Sequence, residues 1–119
     1  MARFRLSLLA RADLAQILAT SFERWGIEGQ RRYAAVLAAA MRKVAAEPQA
    51  PTTRNRRELS RGIRSFHLRH ALVGRMETIV RGPVHVLYYR VVRPDLVEIV
   101  RVLHERMEPG RHIGADPER

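Results

Sequence analysis

Three side-chain types in this sequence could act on a phosphodiester without a metal ion: a carboxylate, a histidine and a guanidinium. Cleaving an RNA strand that way needs a base for the 2′-hydroxyl, a cation to hold the developing phosphorane charge and an acid for the leaving oxygen. Glu58 as base, Arg64 or Arg101 as phosphate clamp and His104 as acid make one such set. His104 has a plainer role open to it, because a histidine at a strand end more often hydrogen-bonds backbone than performs catalysis. The plainer role is preferred, and no catalytic residue is assigned. A set built on clustered lysines and a late tyrosine is disfavoured: Lys43 is the sole lysine and no tyrosine follows Tyr89.

Metal and redox chemistry have less to stand on. Cysteine is absent, which removes disulfides, thiolate zinc sites and cysteine nucleophiles together and suits a reducing cytosol. His67 and His70 are three apart, a spacing that sends them to opposite faces of a strand, so they would not chelate one ion. Tyr88 and Tyr89 point oppositely for the same reason, one expected in the core and the other at its rim. Neither a metal nor a cofactor is expected.

Binding has more support. The 119 residues carry 22 basic side chains against 12 acidic, a net charge of +10, and every basic residue except Lys43 is arginine. Guanidinium is a planar, permanently charged fork that grips carboxylate or phosphate bidentately. Between Arg54 and Arg75, seven arginines (54, 56, 57, 61, 64, 69, 75) face Glu58 alone, giving 7 − 1 = +6 of the net +10. That block reads either as a docking surface for an acidic protein segment or nucleic acid, or as a solvated loop.

Hydrophobic spacing sets the framework that carries these side chains. Phe4, Leu6 and Leu8 alternate with polar residues, a short strand, and Ser7 is placed to cap the helix after it. Leu14, Ile17, Leu18, Phe22 and Trp25 recur at three and four, one helical stripe ended by Gly26. This stripe reads as core, although in so small a fold its edges could also receive a partner's helix or strand. Tyr33, Val36, Leu37, Ala40, Met41 and Val44 make a second stripe up to Pro48, so the two helices are expected to form an antiparallel hairpin. Residues 47–62 read as a surface connection. Three strands are expected at Ile63–His70, Val84–Val92 and Leu96–His104, paired antiparallel, the middle one covered on much of both faces.

The expected architecture is therefore α+β, β-α-α-β-β-β, with an antiparallel sheet packed against a helical hairpin. One domain is expected over 1–107 and a charged, mobile tail over 108–119. The longest apolar runs, such as Ala34–Met41, fall far short of the roughly 20 residues that cross a bilayer. A soluble, cytoplasmic protein is expected.

Several strings carry a family resemblance: Phe4-Arg5-Leu6-Ser7 with Ala12-Asp13-Leu14 and Ile17, Trp25-Gly26, Gly62-Ile63-Arg64-Ser65-Phe66, Tyr89-Arg90-Val91, and above all Ile99-Val100-Arg101-Val102-Leu103-His104-Glu105-Arg106-Met107. Over roughly residues 4–113 the chain resembles the ParE branch of the RelE/ParE toxins. Leu8 stands where such proteins often carry proline, and Ala71–Pro83 looks like an insertion. The resemblance implies a toxin that poisons DNA gyrase by binding and is neutralised in a hetero-oligomer with a ParD-like antitoxin. For RelE-type relatives it implies messenger-RNA cleavage on the ribosome instead. Arg57, Arg61, Arg64, Arg69, Arg101, His104, Arg106 and Met107 are the residues expected to meet target or antitoxin. No helix-turn-helix or basic recognition helix is visible, so direct DNA binding is left to the antitoxin.

Overall fold

A computed structural model describes residues 2–72, 80 and 82–114. The elements are β1 (Arg3–Leu6), α1 (Leu8–Ala46), β2 (Arg54–Asn55), β3 (Arg64–His67), a 3-10 turn (Leu68–Ala71), β4 (His85–Arg93), β5 (Leu96–His104) and a second 3-10 turn (Pro109–Arg111).

Ser7 starts α1: its hydroxyl oxygen accepts the Ala10 N–H at 3.0 Å and its proton goes to the Val100 carbonyl at 2.7 Å. One side chain thus caps the helix and fastens it to β5. Gly26 then breaks α1, with φ 71° and ψ −170°. In an unbroken helix Leu18 and Gln30 would stand about 18 Å apart. Instead the Gln30 amide donates to the Leu18 carbonyl at 3.1 Å, so the chain folds back into the expected hairpin.

The five strands run in the order β1-β5-β4-β3-β2. β2 to β5 pair antiparallel as expected, but β1 pairs parallel with β5, so the sheet is mixed rather than antiparallel. The physical reason is topological: α1 folds back on itself, and β5 reaches β1 from the same end. β2 lies inside the stretch expected to be plain connection. The strand expected over Ile63–His70 stops at His67, because the chain coils into the 3-10 turn that drops Leu68 fully into the core.

The hairpin covers one face of the sheet. All of Tyr33, Val36, Leu37, Ala40, Met41 and Val44 are buried there with Phe66, Leu87, Tyr89, Val97, Ile99 and Val102. The first stripe splits: Ile17 is buried and Leu14 and Leu18 pack against the core, whereas Phe22 and Trp25, in the last turns before Gly26, are 51% and 61% exposed. The opposite face is covered too. Ile63, Tyr88, Leu103 and Ile113 form a second cluster with Leu59, Val86 and Val100. Tyr88 and Tyr89 do face opposite ways, yet both are buried, because both faces of β4 are covered. Ile113, 1% exposed, carries the packed chain beyond the boundary expected at 107, since an apolar side chain is drawn onto the uncovered sheet face. Most of the apparent insertion, 73–79 and 81, lies outside the described residues, as do 115–119.

Candidate functional site

β4 begins at His85 and β5 ends at His104, and the two residues are register partners. Their rings meet edge to face with centroids 5.6 Å apart. From the second arm of α1, Tyr33 brings its hydroxyl to 2.6 Å from His85 Nδ1, and the same oxygen accepts the Val84 N–H at 3.2 Å. His104 Nδ1 accepts the Arg106 N–H at 3.0 Å, the backbone bond expected of a strand-end histidine.

These three residues line a cleft of about 1020 Å³ between the hairpin and the ends of β4 and β5; Arg24, Trp25, Arg32 and Met107 also border it. Burial, followed by the neighbouring His104, pushes His85 down to about 4, so it is neutral at physiological pH. Burial likewise raises the Tyr33 hydroxyl above its ordinary value. Tyr33 and His85 therefore present uncharged hydrogen-bonding groups to the cleft.

Asp13, near the start of α1, enters the same cleft and accepts three bonds from β5: Arg101 Nε at 2.8 Å, Arg101 Nη2 at 2.9 Å and the Val102 N–H at 2.9 Å. Arg101 Nη1 donates to the His112 carbonyl at 3.1 Å. The Asp13 carboxylate holds the Arg101 guanidinium above its usual range. Arg101 is thus committed to joining helix, strand and C-terminal turn.

Arg64 is committed as well. Its Nε donates to the Pro48 carbonyl at 3.1 Å and its Nη2 to Thr53 Oγ1 at 2.8 Å, and the Tyr89 hydroxyl donates to the same Pro48 carbonyl. Together they anchor the exit of α1 to the sheet. Glu58 lies on the other face: it accepts from Arg56 at 2.7 Å, and the Arg56 guanidinium sits 5.7 Å over the Tyr88 ring. That bond holds the Glu58 carboxyl below the usual carboxylate range.

Glu58, Arg64 and His104 are therefore not brought together. Arg64 pairs with Tyr89 and His104 with His85, four positions apart along β4, or about 13 Å. Of the residues expected to bind target or antitoxin, Arg57, Arg61, Arg69, Arg106 and Met107 are exposed, and His104 lines the cleft. Arg64 and Arg101 are spent on internal bonds. Sequence reasoning missed Tyr33 and His85 as a pair, and it missed Asp13 as the acceptor of Arg101.

Among the described residues no group of three or more potential ligands is arranged to hold a metal ion, and no helix is long and apolar enough to cross a membrane. Residues 4–109 match the family model described as the ParE toxin of the type II toxin–antitoxin system parDE. The chain is 35% identical over 115 residues to Toxin ParE1 of Caulobacter vibrioides, covering 96% of this chain and all of that one. It is 30% identical over 111 residues to Toxin ParE1 of Mycobacterium tuberculosis, covering 93% and 97% respectively.

Proposed function

Since the chain belongs to the ParE toxin family of type II toxin–antitoxin systems, we propose that it poisons DNA gyrase by binding and is held inactive by a ParD-like antitoxin. The observation that carries this reading is the family match over residues 4–109. Four exposed arginines support it: among the described residues, none of the Arg57, Arg61, Arg69 and Arg106 side chains is in an ion pair. Such groups attract an acidic partner at long range and are available to its carboxylates or phosphates. In this reading the toxin works in the cytoplasm, forms a hetero-oligomer with the antitoxin that covers these arginines, and leaves operator DNA to the antitoxin.

The test is a supercoiling and cleavage assay with purified gyrase and the isolated protein, with a messenger-RNA translation reaction alongside. Rising toxin is expected to inhibit supercoiling and accumulate cleaved DNA. The triple variant Arg57→Glu/Arg61→Glu/Arg69→Glu is expected to keep its stability, as changes at exposed sites usually do, while losing at least about tenfold in inhibition. Untouched gyrase beside cut messenger RNA would overturn the reading in favour of a RelE-like endoribonuclease.

A further inference from the structure

The cleft bordered by His85 and His104 is half open, and its largely apolar lining also carries both histidines together with Arg24 and Arg32. We propose that it binds a nucleoside monophosphate, with the phosphate on His85 and His104, counter-charge from Arg24 and Arg32, and the base on Trp25.

The tautomers make the first part of the case. The Tyr33 oxygen already accepts the Val84 N–H, and among the described residues the acceptor within reach of its own proton is His85 Nδ1. Tyr33 therefore donates, and the His85 proton sits on Nε2. His104 Nδ1 accepts the Arg106 N–H, which places the His104 proton on Nε2 as well. The two rings that carry these N–H donors stand edge to face on adjacent strands, with centroids 5.6 Å apart. Among the described residues neither donates to a protein acceptor, and neither is buried without a partner. A pair of fixed, open donors with no acceptor of their own suits an oxyanion.

The surrounding charge agrees. Among the described residues the acid that borders the cleft is Asp13, which is taken up by Arg101 and the Val102 N–H. Arg24 and Arg32 border it without an ion-pair partner among the described residues. Among the described lining residues an entering anion therefore meets net positive charge.

The cleft has room for more than a bare phosphate. About 1020 Å³ lies at the upper end of the ~300–1,000 Å³ typical of small-molecule sites. Trp25, 61% exposed at the cleft's border, offers an indole face on which any base can stack.

The test reads the two imidazoles directly. The isotopically labelled full chain is titrated with 5′-AMP and, separately, with inorganic phosphate while the histidine ring nitrogens are read by NMR. The Nε2 signals of His85 and His104 are expected to move together, with a Kd for 5′-AMP of about 1 mM or tighter. Trp25→Ala is expected to weaken 5′-AMP about tenfold and leave phosphate unchanged. This variant alters an exposed side chain, and the wild-type titration stands without it. Unmoved histidine signals at about ten times that concentration, or 5′-AMP affinity unchanged in Trp25→Ala, would overturn the proposal.

Discussion

At the residue scale, Asp13 and Arg101 show how a basic side chain can look like a binding group and act as a joint. The arginine side chain is 15% exposed and the carboxylate 14%, so breaking the pair leaves an uncompensated charge and an unpaired Val102 N–H. Asp13→Ala is expected to cost about 3 kcal/mol in urea unfolding; a loss below about 1 kcal/mol would mean the pair is worth no more than a surface one. His85 supplies a pH dependence. Its folded pKa of about 4 lies below the ordinary 6.5, so the unfolded chain binds more protons between those values. Stability is therefore expected to fall as pH drops from about 6.5 toward 4. Glu105, lowered from 4.5 by its bond to His67, adds its own loss as pH falls below about 4.5, at the acid end of that range. His85→Asn keeps an acceptor for Tyr33, and thermal midpoints measured between about pH 7 and 5 are expected to flatten. An unchanged slope would assign it to other groups. None of this was legible in the sequence, because Tyr33 and His85 are 52 positions apart and Asp13 and Arg101 are 88 apart. Only folding makes them neighbours.

At the element scale, Gly26 decides whether α1 is a hairpin or a rod. Its φ of 71° with ψ of −170° lies in a region essentially confined to glycine. Gly26→Ala is expected to cost about 1–3 kcal/mol by thermal or urea unfolding even though a Cβ there meets nothing within 4 Å. A neutral result would show that the elbow relaxes into another backbone conformation. The break was readable because the apolar spacing stops at Trp25 and resumes at Tyr33 with glycine between. β5 was readable to both ends, and the apolar run VHVLYYRVV announced a strand covered on both faces. The direction of β1 was not, since alternation in Arg3–Leu6 sets the faces of a strand and says nothing of which way its neighbour runs. The end of β3 was equally hidden. Leu68 is buried in either a strand or a 3-10 turn, so its apolar character does not choose between them.

At the scale of the whole molecule, a sheet whose central strand is apolar on both sides has to be covered twice, and the chain has one helical hairpin to spend. The second cover comes from Leu59 in the connection and Ile113 near the C-terminus, which meet Ile63, Tyr88 and Leu103. Composition pointed the other way, because the charged, glycine- and proline-bearing stretch after Glu105 holds a single isoleucine. One buried side chain is nevertheless enough to hold it, helped by the Arg101 bond to the His112 carbonyl and by the turn at Pro109–Arg111. Ile113→Ala is therefore expected to cost about 2–4 kcal/mol and to expose the Tyr88 side of the sheet, read as a lower urea midpoint together with faster amide exchange across β4 and β5. Removing residues 108–119 is expected to cost at least as much, since it also strips the His112 carbonyl from Arg101. If the truncated chain unfolds at the same midpoint as the full one, the C-terminal segment contributes no stability, and the second face of the sheet is held by the Leu59 loop alone.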